Sequence, residues 1–258
     1  METIEYKVQN RVARVTLNRP EVHNAFNEIM IRELTRAFDD ISRRSDVRAV
    51  VLTGEGKSFC AGADLNWMRR IKDASYEENL GEALELSDML YAIYSSPKPT
   101  VARVNGTAIG GGTGLVAVCD IAVACDTAKF SFSEVKMGLI PACISPYVVK
   151  KCGEGKCREF FLTGERLTAE RALAAGLVNA VVAAEELDRV VGDYLAQLLT
   201  SGPEAVTMCK ELLRTVPQMS YSDMKKYTAE VIARLRISDE GQEGMEAFFE
   251  KRKPRWTE

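Results

Sequence analysis

Apolar and polar positions change period several times along this chain, and each change predicts an element. Residues 4–8 and 12–17 alternate apolar with polar side chains, the period-two signature of short strands, joined by a polar link at 9–11. Arg19-Pro20 ends the second strand, because proline cannot continue a ladder. Residues 27–43 move to helical spacing, with Met30, Leu34, Ala37, Phe38 and Ile41 on one face. Residues 49–53 are almost wholly apolar, as expected of a parallel strand covered on both sides. The loop 54–63 opens a short helix at Asp64, whose carboxylate suits an N-cap. A long helix over 76–94 is stopped by Ser96-Pro97-Lys98-Pro99.

Strands are expected again at 100–104, 121–124, 129–132 and 178–182, with a capped helix over 168–175 closed by Gly176. From Glu185 nearly everything has helical period, in blocks at 186–200, 203–215, 222–237 and 241–251. Strands alternating with helices, then helices alone, predict an α/β core with right-handed connections over 1–195. A helical C-terminal region is expected over 196–258.

Composition narrows the chemistry. The 258 residues carry 34 basic and 37 acidic side chains, a net charge of -3, which argues against a general nucleic-acid binder. No run approaches the roughly 20 apolar residues of a membrane span. The first residues are charged and strand-like, without the apolar core of a signal peptide, and the seven cysteines show no Cys-x-x-Cys pair. Reduced thiols in a cytoplasmic protein are expected. The single histidine, His23, lies in a polar turn with no Gly-x-Ser-x-Gly elbow to serve, and reads as a turn residue.

Two glycine-rich or small-residue turns carry the candidate chemistry. Asn105 to Leu115 follows an apolar strand and leads into a buried helix read at 115–119; Ser58 to Leu65 repeats the strand, small-residue turn and helix start. Glycine permits unusual dihedrals and close approach, and a helix start leaves N–H groups free. Two such turns can bring two backbone donors together as an oxyanion hole. A dinucleotide site is the rival, but no Gly-x-Gly-x-x-Gly can be read in 106–115 and no Lys-Ser/Thr follows for a P-loop.

With these stretches go Leu17-Asn18-Arg19-Pro20, Phe59 to Asp64, Lys98-Pro99-Thr100, Asn105-Gly106 with Gly110 to Gly112, Cys119-Asp120 and Ala175 to Val178. Together they resemble the crotonase family, the enoyl-CoA hydratase/isomerase superfamily, over essentially the whole chain. The resemblance implies a spiral of ββα units with a C-terminal helical trimerisation region, self-association as a homotrimer or dimer of trimers, an acyl-CoA thioester substrate, and no metal or redox cofactor. By position it implies that the N–H groups of Ala63 and Gly111 hold the thioester oxygen. Ala61, Ala63, Asp64, Leu65, Asn66 and Gly111 would line the bound CoA and acyl chain, and Phe248 and Lys251 would reach the CoA of a neighbouring subunit.

The resemblance also implies a catalytic Glu134. Family hydratases carry a second glutamate where this chain has Gly114. One carboxylate can still add water, or move a 3-enoyl double bond to the 2-position, so isomerase is the alternative activity; an acyl-CoA binder without turnover is a third. Residues 134–149, 240–254 and Asp64 to Met68 resemble bacterial methylglutaconyl-CoA hydratases, which implies a branched, carboxylated enoyl-CoA. A cation would have to meet its extra carboxylate, with Arg69, Lys136 and Lys150 as candidates. Cys60, Trp67 and Met68 read as packing residues, and Asp120 as a structural acceptor at the end of a helix.

Overall fold

The computed structural model describes residues 1–257. The strand-like start forms an antiparallel hairpin of β1 (Ile4–Gln9) and β2 (Val12–Leu17), followed by α1 (Glu28–Arg43). Asn27 caps α1 by accepting from the Met30 N–H at 3.1 Å, and the five apolar residues expected to share a face are all buried, with Ile31 beside them. Next come β3 (Ala49–Gly54), β4 (Ser58–Cys60), α2 (Leu65–Lys72) and α3 (Tyr76–Ser95). Ser75 and Glu78 start α3 with a reciprocal capping box.

The chain then runs through β5 (Thr100–Val104), β6 (Thr107–Ile109), α4 (Gly111–Val118), β7 (Ile121–Cys125) and β8 (Lys129–Ser131). It continues with α5 (Ser145–Thr163), β9 (Arg166–Thr168), α6 (Ala169–Ala174) and β10 (Ala180–Val182). Four helices finish it: α7 (Leu187–Thr200), α8 (Pro203–Thr215), α9 (Tyr221–Ile237) and α10 (Asp239–Glu250).

Two sheets organise these elements. One has strand order β1-β2-β3-β5-β7-β10 and is parallel beyond the first hairpin; the other has order β4-β6-β8-β9, with only β9 antiparallel. Three times a strand of the large sheet is followed by a strand of the small one and then by helix: β3-β4-α2, β5-β6-α4 and β7-β8-α5. The result is the expected α/β spiral of ββα units with helices at its C-terminal end. β3 is buried along its full length, as a strand flanked on both edges and covered on both faces must be.

The structure differs from or adds to the sequence reading at three places. The glycine stretch is not one turn running into a helix at Leu115: Asn105-Gly106 turns the chain, β6 pairs with β4 and β8, and α4 begins at Gly111. A three-residue strand is too short for periodicity to reveal. Helix α5 had no counterpart in the sequence reading, because Gly153, at φ +73°, breaks its period midway and only Val148, Cys157 and Phe160 are buried. The division expected at 195/196 falls inside α7, whose Leu187 and Val191 are buried.

Polar clips hold the layers. Asp120 Oδ2 accepts from the Thr100 N–H (2.7 Å), the Thr100 hydroxyl (2.9 Å) and Lys210 Nζ (2.6 Å), tying β5, the end of α4 and α8 together. All seven cysteines are free thiols. Among the described residues, no helix is long and apolar enough to cross a membrane.

The C-terminal tail is latched by one buried carboxylate. Glu243, 6% exposed, accepts from Arg252 at 2.6 and 3.2 Å and from the backbone and side chain of Arg255, both at 2.9 Å. Trp256 then donates to the Thr200 carbonyl, and its own carbonyl accepts from Arg11 and Arg48. The Arg252 guanidinium holds the Glu243 carboxyl down at about 2. Because the folded value lies below the ordinary one, this stabilisation is complete above the usual glutamate range and is lost as pH falls towards 2. Glu243→Ala should free the tail at neutral pH and red-shift Trp256 fluorescence in a Trp67→Phe background; unchanged emission would show that the latch does not hold the tail.

Candidate active site

The site forms where β4 and β6 end side by side. Beyond β4, the Phe26 N–H donates to the Gly62 carbonyl (2.8 Å), and the Asp64 N–H donates to the Phe26 carbonyl (3.0 Å). Phe26 and Ala63 thus form a parallel bridge, and the Ala63 N–H has no backbone acceptor among the described residues. Beyond β6, Gly111 is the first residue of α4, where an N–H has no intrahelical acceptor. The two turns are in contact: a methyl built on Gly62 would lie 3.7 Å from the Gly111 nitrogen. One built on Gly112 would lie 2.2 Å from the Cys60 carbonyl oxygen, so only glycine allows α4 to start this close to β4.

Side-chain bonds fix both turns. Thr113, fully buried, places its hydroxyl 2.8 Å from the Ala108 carbonyl and 3.1 Å from the Ser131 carbonyl, pinning α4 to β6 and β8. Asn24 donates to the Glu55 and Ser58 carbonyls, both at 2.8 Å, and accepts from the Arg19 N–H at 2.9 Å, clamping the loops around β4. His23 Nδ1 lies 3.0 Å from the Ser58 hydroxyl at the exposed edge of this clamp, in the turn expected of it.

Glu134 meets the glycine turn from β8. It sits in a 3₁₀ turn, Ser133–Met137, and its Oε1 lies 3.1 Å from where a methyl on Gly110 would be. Its Oε2 is buried and has no hydrogen-bond partner. Burial pushes the Glu134 carboxyl above the usual range, only partly offset by a hydrogen bond from its own backbone. The carboxylate that faces the paired turns is therefore poised to exchange a proton.

Asp64 stands in the opposite condition. Burial alone would raise it, but the Asn66 N–H (2.7 Å), Arg19 (2.8 Å) and the Trp67 N–H (3.3 Å) together hold its carboxyl low. It is the N-cap anticipated for α2 and is saturated by its partners. Burial also pushes the Cys60 thiol up to about 12, consistent with a packing role. Trp67 packs against Phe26 with ring centroids 6.0 Å apart and donates to Glu82 at 2.7 Å.

Gly114 has a physical explanation that sequence could not supply. A methyl built there would lie 2.1 Å from Cγ2 of Ile144, a residue 3% exposed. Ile144 fills the space a side chain at 114 would need, so position 114 supplies no second carboxylate. The fold brings Ala63, Gly111 and Glu134 to one place, with Ala61 half-buried and Leu65 and Asn66 exposed at its rim. Met137, Leu139 and Ile140, which follow Glu134, are exposed apolar residues.

Phe248 and Lys251 lie elsewhere in the single chain. Phe248 is 78% exposed beside Phe249, on an apolar groove that also includes Leu235, Met245 and Trp256 and none of the three site residues. Lys251 ends α10 with φ +56°. Lys150 is not at the site either, since its Nζ donates to the Tyr94 hydroxyl at 3.1 Å near the far end of α4.

Residues 7–258 match the family described as Enoyl-CoA hydratase/isomerase. The crystal structure of an enoyl-CoA hydratase from Shewanella pealeana superposes with a TM-score of 0.95 at 39% identity, covering 98% of this chain and 96% of that one. One from Mycobacterium smegmatis gives 0.94 at 34% identity, with 99% of each chain covered. Enoyl-CoA hydratase ACTT6 of Alternaria alternata is 40% identical over 207 residues, 80% of this chain and 67% of its own. This chain therefore belongs to the enoyl-CoA hydratase/isomerase family, the crotonases, enzymes of acyl-CoA thioesters.

Glu134→Gln tests the site in two ways. Loss of the proton carrier should lower turnover by about 10²–10⁴-fold. A carboxyl raised in the folded state stabilises the fold below its unfolded pKa and loses that contribution as pH rises through the folded one. Above the ordinary glutamate range the raised carboxyl thus costs the fold stability that glutamine does not lose, so the variant should melt higher than the parent at neutral pH, with the gap closing as the pH falls. Equal turnover would remove Glu134 from the chemistry.

Proposed function

We propose that this chain adds water across the 2,3-double bond of an enoyl-CoA, with 3-methylglutaconyl-CoA as substrate and Glu134 as the single acid–base group. The observation that carries the reading is the unpartnered, buried Glu134 carboxylate set against the turn that presents the Gly111 N–H. The names of the relatives, enoyl-CoA hydratases, support addition of water.

In this reading the thioester oxygen accepts from the Ala63 and Gly111 N–H groups. Glu134 takes a proton from water as the water oxygen bonds to C3, and the C2=C3 electron pair moves towards the thioester oxygen as an enolate. The two N–H donors hold the developing charge in a place where fixed dipoles need no reorganisation. Glu134 then returns its proton to C2, restoring the thioester and leaving a 3-hydroxyacyl-CoA. Atoms and charge close with one carboxylate and two backbone donors, so the reaction calls for no metal or redox cofactor.

The branched, carboxylated substrate rests on the resemblance of residues 64–68, 134–149 and 240–254. Of the cations considered for its carboxylate, Arg69 bonds the Asn66 side chain at 3.2 Å beside the oxyanion turn, and Lys136 follows Glu134 by two residues. Self-association as trimers or paired trimers is part of the same proposal, supported by the exposed Leu213, Ile237, Phe248 and Phe249 of the C-terminal helices.

Ile144 favours a second reading. With an apolar residue where a second carboxylate would stand, Glu134 could carry a proton from C2 to C4 of a 3-enoyl-CoA, a double-bond shift that needs no water. Mass spectrometry separates the two. With 3-methylglutaconyl-CoA the expected result is a product heavier by one water. If that compound and crotonyl-CoA are both untouched, while a 3-enoyl-CoA becomes a 2-enoyl-CoA of equal mass, the hydratase reading fails. In either activity the raised Glu134 carboxyl places the acid limb of kcat/KM above the ordinary glutamate range, which a pH profile would read directly.

A further inference from the structure

A cavity with apolar walls and several charged side chains opens at the other end of α4. It has a volume of about 470 Å³, and Lys150, Lys151, Lys210 and Arg214 line it together with Asp120 and Tyr94. Its lining includes Ala117 and Val118 but none of Ala63, Gly111 and Glu134. From Gly111 to Val118 the helix rises about 10 Å, which separates this cavity from the oxyanion turns.

Charge in the cavity is unbalanced. Its one carboxylate, Asp120, is already bound by Lys210 and by both donors of Thr100. Lys150 donates to the Tyr94 hydroxyl and lies over that ring, 5.1 Å from its centroid. Lys151 has no such partner: its Nζ is buried and makes no hydrogen bond. A buried ammonium without an acceptor is costly, and an anion entering the cavity would remove that cost.

We propose that this cavity is a second anion-binding site, taking a small phosphate or carboxylate between Lys151 and Arg214. Lys210 and Asp120 form its closed side, and the Tyr94 hydroxyl and Lys150 its polar rim. Burial also pushes the Lys151 ammonium down, and the nearby Cys119 and Asp120 offset this only in part. The size suits a small molecule rather than a lone ion, since ligand cavities begin at about 300 Å³. Aliphatic and aromatic walls from Val118, Leu213 and Tyr147 would accept a short carbon chain attached to the charged group.

The test is calorimetric titration of the full-length protein with inorganic phosphate and, separately, with succinate. Saturable binding is expected with at least one, and which one binds tells a phosphate site from a carboxylate site. Lys151→Met and Arg214→Gln should each weaken it by about ten- to a hundred-fold, the loss of a charge-assisted hydrogen bond, with turnover unchanged. Should Lys151→Met fail to fold, Arg214→Gln decides alone. No saturable binding with either anion, or equal affinity in the folded variants, overturns the site. So does a fall in assembly mass by light scattering when phosphate is added, because an acidic side chain of a second copy would then be the cavity's occupant.

Discussion

Backbone rests on backbone where β4 and β6 end, and the rest of the molecule serves that contact. With Gly112 over the Cys60 carbonyl and Gly62 against the Gly111 nitrogen, the two turns that carry Ala63 and Gly111 meet backbone to backbone. The two sheets deliver the strand ends to this point. Thr113, Asn24 and Asp64 are spent entirely on holding it. A donor pair built from main chain costs no side-chain entropy and cannot rotate away, which is what the proposed role of meeting a charge only as it forms would require.

Two carboxylates flank this arrangement with opposite fates. Asp64 accepts from two backbone N–H groups and an arginine and is locked as an anion that cannot leave its helix. Glu134, with one oxygen buried and unsatisfied, is held where its charge is unfavourable. The opposite directions follow from their partners: Asp64 is saturated with donors, while burial acts on Glu134 almost unopposed. The strain of the second is local and is borne by a core that is continuous across both sheets.

Much of this was legible in the sequence because it is local. The period-two hairpin, the one-sided face of α1 and the four terminal helices follow from spacing alone, and the N-cap at Asp64 from a single residue. The paired turns showed themselves through small residues, and Glu134 only through the family resemblance, since a glutamate at a strand end is by itself an ordinary edge residue. What stayed hidden is non-local or short. The three-residue β6 has no period to read, and the glycine inside α5 interrupts its pattern. Nothing near Gly114 in sequence points to Ile144, thirty positions on, and nothing near Lys150 places it at the far end of α4. Those relations exist only once β7, β8 and α5 have folded over α4.

The Gly114–Ile144 contact also constrains how this protein can change. A larger residue at 114 alone meets Ile144 in a filled core, an overpacking cost of about 1–3 kcal/mol. A smaller residue at 144 alone leaves a void, a cost of about 2–5 kcal/mol. Each single step is a loss, and only the pair together could restore a second carboxylate. The two positions form an epistatic lock: a carboxylate side chain at 114 finds room only if 144 changes with it.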